Sequence, residues 1–357
     1  MKTITLLLFA ALFVGPLYGQ TREDLLNRLA DLQKKGYMVG HQDDPFYGLK
    51  WSGIADPQKP ERGRSDVKEV AGDYPAVMGF DLGGIEMGDE KNLDSVPFSR
   101  IREELLAHVA RGGIVTISWH PRNPLTGGTA WDNKDSTVIA SILPGGSKHL
   151  KFLGWMRSVG DFLKSLRTKD GRPVPIIFRP WHENNGGWFW WGAKQSTPKE
   201  FRGLWCMLQD YLLFEGLDNL VWSYSPNLDG NCSEEQFLER YPGDDRVDLI
   251  GLDAYQWGTE QDFVRQVNND LRMLTAYTQK KGKLLAMTEC GLKNVTDPTW
   301  WSRVLKPQLD KYPLSYFLFW RNYPKEYFGP APGEKNAESF LEMVRSKNVL
   351  MLKDINN

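Results

Sequence analysis

Cysteine is scarce in this chain, and so is net charge. The three cysteines, Cys206, Cys232 and Cys290, are odd in number, so at most one disulfide bond can form. No spacing among them demands a bridge, and we predict that they are mostly free and buried. The net charge of −1 gives no indication of a nucleic acid or an anionic membrane surface as a partner. A Gly-rich dinucleotide fingerprint is also missing, because Gly83-Gly84 lacks the required spacing.

Long hydrophobic runs are lacking as well, apart from a short one near the N-terminus. It covers residues 4–14, follows Lys2 and is too short to span a membrane. A positive residue, a short apolar run and a stretch ending at Gly19 are typical of a secretory signal. We predict a signal peptide over residues 1–19 and export to the periplasm or out of the cell. Residues 20–357 are then expected to form one domain and to act as a monomer.

Alternation between apolar runs and amphipathic stretches dominates the remaining chain. The predicted strands are residues 37–40, 76–80, 114–118, 174–178, 220–223, 247–252, 284–288 and 316–319. The predicted helices include residues 22–35, 100–110, 150–166, 198–213, 261–279 and 299–309. Near-continuous apolar strands separated by helices indicate a parallel sheet covered on both faces. Eight such strands favour an α/β fold of the single (β/α)8 TIM-barrel type over an open doubly wound sheet.

Polar or aromatic side chains follow every one of the eight predicted strands. In a barrel these positions form one ring around the mouth, where the active sites of such barrels lie. Ordinary loop polarity accounts for some of them, but not easily for His, Glu, Arg, Tyr and Trp at one topological position. The residues are His41-Gln42, Asp81, His120, Arg179 with His182-Glu183, Tyr224 with Asn227, Asp253 with Tyr255, Glu289, and Trp320-Arg321-Asn322.

The end of the fourth strand carries the most informative segment. Glu183 and His182 stand side by side, and four aromatic residues follow at positions 188–191. Exposed tryptophans promote aggregation unless they face a ligand. A carboxyl group among indoles tends to stay protonated near neutral pH, as the acid of a glycosidase must. We therefore prefer a catalytic Glu183 to a buried structural glutamate. Trp188 is the predicted substrate contact, while Phe189 and Trp190 are equally compatible with packing under the loop.

Glu289 follows the seventh strand, which lies across the barrel mouth from the fourth. A retaining glycosidase needs two carboxyl groups roughly 5–5.5 Å apart, one nucleophilic and one acting as acid and base. We predict that Glu289 is the ionised nucleophile and that Arg179 and Tyr255 donate hydrogen bonds to it. With Glu183 as the acid, the activity is expected to follow a bell-shaped pH profile.

These segments resemble glycoside hydrolase family 26, the β-mannanases. The resemblance is most specific at residues 179–183 and 187–192. It extends through residues 40–42, 75–77 with Asp81, 118–121, 253–255, 288–289 and 319–322. It implies a retaining mechanism on β-mannan without a cofactor or metal ion, and Trp181 is only a mild departure from the family pattern.

The resemblance also implies the roles of single residues. Glu183 would be the acid/base and Glu289 the nucleophile, with Tyr255 beside it. His182 would orient the acid/base and contact the sugar. The attacked sugar would lie against His120 and Trp320, and the leaving sugar against Trp188. The family also contains lichenases and β-1,3-xylanases, which the catalytic motifs alone do not exclude.

Two alternatives come from other classes of protein. His41, His120 and His182 all fall on the predicted rim, which raises the possibility of a metal-dependent barrel hydrolase. Such sites often use a His-x-His pair on one strand, and this chain has none. A non-catalytic carbohydrate-binding protein would typically lose one of the two carboxyl groups, and both are present. Of the remaining histidines, we expect His108 on the surface of a helix and His149 at a helix end.

The connection after His120 is unusually long, reaching nearly to position 150. It contains the turn formers of residues 123–128 and 144–147, Trp131, and Lys148 with His149. One interpretation is a plain surface loop. The other is a wall at the glycone end, with Lys148 or its neighbours binding the terminal sugar. The second interpretation predicts the release of mannobiose from chain ends.

Overall fold

Eight parallel strands close into a barrel in the computed structural model, which describes residues 21–54 and 61–356. The strands are β1 (Tyr37–Gln42), β2 (Val77–Asp81), β3 (Ile114–Trp119), β4 (Ile176–Pro180), β5 (Leu220–Tyr224), β6 (Leu249–Tyr255), β7 (Leu284–Gly291) and β8 (Tyr316–Phe319). Each strand pairs with the next, and β8 pairs with β1 from Met38–Tyr316 to His41–Phe319, which closes the ring. The predicted (β/α)8 barrel is confirmed. The predicted signal peptide, residues 1–19, lies outside the described residues.

Helices follow the strands and cover the outside of the barrel. They are α1 (Arg22–Lys35), α2 (Asp66–Ala71), α3 (Phe98–Ala110), α4 (Val138–Ile142), α5 (His149–Lys164), α6 (Pro198–Phe214), α7 (Glu234–Arg240), α8 (Glu260–Lys281), α9 (Lys306–Leu309) and α10 (Ala337–Val344). The predicted helix over 299–309 is instead a π-helix, Trp300–Leu305, followed by α9. Pro307 has no N–H group, so a regular α-helical hydrogen-bond series cannot run through this segment.

Short elements complete the fold. The two-residue strand Val349–Leu350 pairs with the start of β1, and two small antiparallel hairpins lie above the barrel. The hairpins join Tyr47–Gly48 to Trp51–Ser52 and Asn322–Tyr323 to Glu326–Tyr327. Three 3-10 turns occupy Ile85–Met87, Lys293–Val295 and Leu352–Ile355. Within the described residues, no helix is long and apolar enough to cross a membrane.

One end of the barrel is apolar and closed. The first inward-facing residues of the strands, such as Met38, Ile177 and Val221, form a buried cluster with leucines of α1. α1 begins at a capping box made by Thr21 and Asp24, and its buried face packs across the N-terminal ends of the strands. Because this end is filled, a ligand can reach the barrel interior only from the C-terminal ends of the strands.

His108 is not on the surface, so that prediction is wrong. It is fully buried on α3, and its Nε2 lies 3.2 Å from the carbonyl oxygen of Ala76. Gly113 leaves the space for the ring, since a Cβ atom there would lie 2.1 Å from Nε2. Burial lowers the pKa of His108 to about 4. The histidine is therefore neutral and supports packing between α3 and β2.

Candidate active site

The C-terminal ends of the strands surround a cavity of about 500 Å³. Seven of the nine predicted site residues line it, and Arg179 lies buried beneath it. The lining residues are His120, Trp131, His182, Glu183, Trp188, Phe189, Asn227, Tyr255, Trp257, Glu289, Trp320, Glu326 and Phe328. The barrel therefore brings together side chains that lie up to 208 positions apart in the sequence, from His120 to Phe328.

A bulge in β7 aims Glu289 into this cavity. Gly251 pairs with Ala286 and Asp253 with Glu289, so β7 has one residue more than β6 over this stretch. The pairing with β8 shifts in the same place. As a result two consecutive residues, Thr288 and Glu289, contact groups inside the barrel, whereas a regular strand would turn one of them outward.

The Glu289 carboxylate is held by a cation and a phenol. Arg179 donates from Nη2 to Oε1, and the Tyr255 hydroxyl donates to Oε2 at 2.7 Å. Arg179 also donates from Nη1 to Asp253 at 2.9 Å, and Asp253 accepts a further hydrogen bond from Thr288 at 2.7 Å. Burial favours the neutral guanidine, yet the two carboxylates raise the pKa of Arg179. This network holds the Glu289 carboxyl group in one orientation.

Glu183 has only neutral hydrogen-bond donors around its carboxyl group. The indole N–H of Trp188 donates to Oε2 at 2.6 Å, and the Asn227 amide donates to Oε1 at 2.8 Å. Burial first, and then the charge of Glu289, raises the pKa of Glu183 to about 7. A carboxyl group with that pKa is largely protonated below neutrality and can deliver a proton.

The backbone at Glu183 is unusual for a side chain of this kind. Trp181 and Glu183 have φ of 54° and 51°, in the left-handed region that non-glycine residues rarely adopt. The Glu183 N–H is fixed by the carbonyl oxygen of Ser225 at 2.7 Å. The turn directs Trp181 into the core, where it is fully buried, and Glu183 into the cavity.

The carboxyl groups of Glu183 and Glu289 are close neighbours. One oxygen from each of Glu183, Asp253 and Glu289 can be chosen so that all three lie within 4.8 Å of one another. Oxygens this close fit the roughly 5–5.5 Å between the carboxyl groups of retaining glycosidases better than the roughly 6.5–9.5 Å of inverting ones. Three such carboxylates also have the spacing of metal ligands, but Arg179 already provides the positive charge between Asp253 and Glu289.

His120 and His182 meet at the cavity floor, and their surroundings shift the two pKa values in opposite directions. Their ring centroids are 4.4 Å apart at 78°. Burial opposes the charged form of His120, but the Asp81 carboxylate, 2.6 Å from Nδ1, raises its pKa. Burial, Arg179 and His120 together lower the pKa of His182, whose Nε2 lies 3.9 Å from Oε1 of Glu289. The charged form is thus favoured at His120 and disfavoured at His182, and both imidazoles can contact sugar hydroxyls.

The aromatic residues after Glu183 divide into one exposed ring and three buried ones. Trp188 is 38% exposed and lines the cavity. Trp190 and Trp191 are fully buried, and the Trp191 indole donates to the His182 carbonyl at 2.9 Å. Phe189 is also buried but one edge reaches the cavity, and it stacks on Trp191 with centroids 4.3 Å apart. The buried rings support the loop that presents Glu183.

The long connection after β3 is structured and reaches the cavity through Trp131. That ring lies parallel to His120, with centroids 5.6 Å apart. Asn133 donates to the carbonyl oxygens of Gly187 at 2.7 Å and Trp188 at 3.1 Å, which ties the connection to the loop of the acid. Lys148 is placed elsewhere: it precedes α5, its backbone N–H donates to Ser141, and it is not among the described residues that line the cavity.

Asn227, Trp257, Glu326 and Phe328 were not predicted as site residues. The position of Asn227 and Trp257 at the cavity was predictable from the sequence, because they follow the ends of β5 and β6. Glu326 and Phe328 lie in and just after a hairpin beyond β8, and no local sequence pattern connects them to the cavity. Of the predicted cysteines, Cys290 is free and buried, whereas Cys206 and Cys232 are free but partly exposed.

A closed (β/α)8 barrel with two carboxyl groups placed in this way defines a glycosidase. Comparison with known proteins identifies the family of glycosidases. The sequence model of glycosyl hydrolase family 26 matches residues 14–336, and the chain belongs to that family.

Several relatives are similar over much of the chain. A solved family 26 β-mannanase of Bacteroides ovatus has 44% identity and a TM-score of 0.88, over 93% of this chain and 96% of that one. A mannan endo-1,4-β-mannosidase of Bacillus subtilis strain 168 is 28% identical, over 87% of this chain and 82% of that protein. A mannan endo-1,4-β-mannosidase of Bifidobacterium adolescentis is 36% identical over 64% of this chain. The match covers only 24% of the length of that protein.

Proposed function

We propose that this protein is a retaining β-1,4-mannanase that hydrolyses mannan, glucomannan or galactomannan and their oligosaccharides. The observation that carries the reaction class is the pair of carboxyl groups, Glu183 and Glu289, with oxygens within 4.8 Å. The substrate class is supported by the relatives, which are named as mannanases. A lichenase or a β-1,3-xylanase is not favoured, because none of these three relatives bears such a name. A non-catalytic protein is not favoured because both carboxyl groups are present.

The first half of the reaction forms a covalent glycosyl-enzyme. A Glu289 carboxylate oxygen attacks the anomeric carbon, and the bond to the leaving sugar's oxygen breaks. Glu183 gives its proton to that oxygen, so the leaving sugar departs as a neutral alcohol. Arg179 and Tyr255 hold Glu289 in line for attack, since each donates to a different carboxylate oxygen.

The second half uses Glu183 as a base. The charge of Glu289 is one cause of the raised pKa of Glu183. Once Glu289 is esterified it no longer carries that charge, and the pKa of Glu183 falls. The ionised Glu183 then takes a proton from water, and the resulting hydroxide attacks the anomeric carbon and releases Glu289. The short distance between the two carboxyl groups thus couples the covalent state to the switch from acid to base.

The same proposal includes whether the enzyme cleaves mannan at the chain ends or inside the chain. We propose that the connection between β3 and α5 limits the glycone side and favours release of mannobiose from chain ends. Support comes from Trp131, which stands against His120, and from Asn133, which anchors the connection. A viscosity time course on mannan tests it. Early mannobiose with slow viscosity loss is expected, and rapid viscosity loss with a broad ladder of products would contradict it.

We further propose export through the signal at residues 1–19, and action as a monomer without a metal ion. Support for the absence of a metal ion comes from Arg179, whose guanidinium already provides the positive charge between Asp253 and Glu289. Mass spectrometry of the mature N-terminus, light scattering and a chelator assay test these three points in turn. An unprocessed N-terminus, a dimer mass or inactivation by chelator would each contradict the corresponding point.

The main experiment compares mannan, lichenan and β-1,3-xylan at equal concentration. Reducing ends should appear rapidly from mannan and at least about a hundredfold more slowly from the others, because binding contacts made in the transition state set the ratio. Proton NMR of an early time point should show the β-anomer first, since two displacements preserve the configuration. An α-anomer first, or faster release from lichenan, would refute the proposal.

A further inference from the structure

Trp257 is the most exposed tryptophan among the described residues, and nothing in the mechanism uses it. Its exposed fraction is 69%, compared with 50% for Trp131 and 38% for Trp188. It lines the same cavity as the two catalytic glutamates. A large apolar ring open to solvent at a cavity is typical of a ligand contact rather than of core packing.

The ring is fixed on one side and open on the other. One face lies nearly parallel to Tyr255, with centroids 5.4 Å apart at 25°, and an edge contact to Phe328 has centroids 6.4 Å apart. The backbone is held as well, because the Trp257 N–H donates to Tyr255 at 3.1 Å and the Gln256 N–H to Gly291 at 2.9 Å. The residue therefore presents a flat apolar surface at little cost in conformational entropy.

The order of the strands around the barrel indicates on which side of the cleaved bond this surface lies. Glu183 on β4 and Glu289 on β7 divide the rim into two arcs. β8, β1, β2 and β3 form the larger arc, which carries His120 and Trp320. Buried polar groups such as His120 suit the attacked sugar, which must be held through both steps. β5 and β6 form the smaller arc, where Trp257 lies.

We infer that Trp257 is the stacking platform of a leaving-group subsite for a β-1,4-linked hexose. The sugar's apolar C–H face would lie on the indole, and Glu326, which also lines the cavity, would accept hydrogen bonds from its hydroxyls. Lys293, which follows β7, lies 2.7 Å from the Glu326 carboxylate, and Phe328 contacts Trp257. The hairpin after β8 therefore reaches across β7 to the smaller arc. This inference rests on the proposed mannanase activity and identifies where the second half of the substrate binds.

The test uses two substrates that differ only in what occupies the leaving-group side. Mannohexaose places sugars on both arcs, whereas an aryl β-mannobioside places only a phenol on the leaving-group side. Trp257→Ala should lower kcat/KM on mannohexaose about tenfold, mainly through KM, because the stacking contact is lost. The loss on the aryl mannobioside should be no more than about twofold. Trp257→Phe should restore most of the activity on mannohexaose.

Phe214→Ala is the control, since Phe214 is 87% exposed at the end of α6 and outside the cavity. It should leave both rates unchanged. Equal losses on both substrates would overturn the inference, because they would show that Trp257 only supports Tyr255 and Glu289. No loss on either would overturn it as well. A wild-type protein that cleaves neither substrate would overturn both this inference and the proposed function.

Discussion

The surroundings of Glu183 and Glu289 differ, although the two carboxyl groups are close together. Glu289 contacts the Arg179 guanidinium and the Tyr255 phenol. Glu183 contacts an indole and an amide, which are neutral. Both side chains are buried, so the difference between their surroundings does not come from exposure to water. It comes from whether a cation stands within hydrogen-bond distance.

One residue type takes two roles in one cavity because the groups around each carboxyl differ. Burial alone raises the pKa of any carboxyl group. Arg179 donates one charge-assisted hydrogen bond to Glu289 and another to Asp253, and so fixes the orientation of Glu289. The two neutral donors at Glu183 lower its pKa only partly, and it stays at about 7. The following predictions test each side of this difference.

The largest expected effect is at Glu289. Glu289→Ala should lose at least about 10⁴-fold in kcat on mannan and on aryl β-mannobiosides alike, because no covalent intermediate can form on any substrate. Glu338→Ala is the matched control, since the Glu338 side chain is 77% exposed on α10. Substantial residual activity on the aryl substrate would contradict the role of Glu289.

The loss at Glu183 should depend on the leaving group. Glu183→Ala is expected to lose roughly 10³-fold or more on mannan, whose leaving group needs a proton. The first step on an aryl β-mannobioside should be largely spared, because a good leaving group departs without an acid. Azide should then restore turnover and yield a β-glycosyl azide, detectable by mass spectrometry. Equal losses on both substrates without rescue by azide would refute the difference between the two glutamates.

Tyr255 tests the phenol on the Glu289 side. Tyr255→Phe should lower kcat/KM by about 10- to 100-fold, because one hydrogen bond that holds the nucleophile is removed while the ring stays. Tyr312→Phe is the control, since the Tyr312 hydroxyl bonds Asn268 away from the cavity. A rate equal to that of the wild type would show that Arg179 alone orients Glu289.

The smallest expected effect concerns the pH profile. Glu183 must be protonated for the first step, so kcat/KM on mannan should fall as the pH rises through about 7. Asn227→Ala removes a donor that stabilises the ionised form, so the alkaline limb should move to higher pH. Asn231→Ala, an exposed asparagine four residues on, should leave the limb in place. A shift to lower pH would contradict the assignment of this limb to Glu183.

The barrel was predictable because each of its strands is buried on both faces and reads as an apolar run. The ends of β6 and β7 were harder to predict from the sequence. β7 runs three residues beyond its predicted end, to Gly291, and the bulge that turns Glu289 inward leaves no mark in the apolar pattern. Register shifts depend on two neighbouring strands at once, and a single strand's sequence does not reveal them.

The site was predictable where strand ends supply it, and not where distant loops do. His120 and Glu183 lie within three residues after β3 and β4, and Tyr255 and Glu289 lie in the last three residues of β6 and β7. Phe328 reaches the cavity only after a hairpin, and its contact with Tyr255 depends on tertiary packing. The burial of His108 was predictable from the sequence, because His108 shares a face of α3 with the buried residues Ile101 and Leu105.

The left-handed turn at Trp181 and Glu183 lowers the thermal stability of the protein while it positions the catalytic acid. Non-glycine residues in that conformation cost on the order of 1–3 kcal/mol each, and burial at position 183 also disfavours the ionised carboxyl group. Glu183→Gly, freed of both, is expected to melt at a higher temperature than the wild type while cleaving no mannan, and scanning calorimetry would measure the difference. Selection of variants by heat resistance alone would therefore discard the proton donor first, so thermal screens of this enzyme need a rate assay beside them.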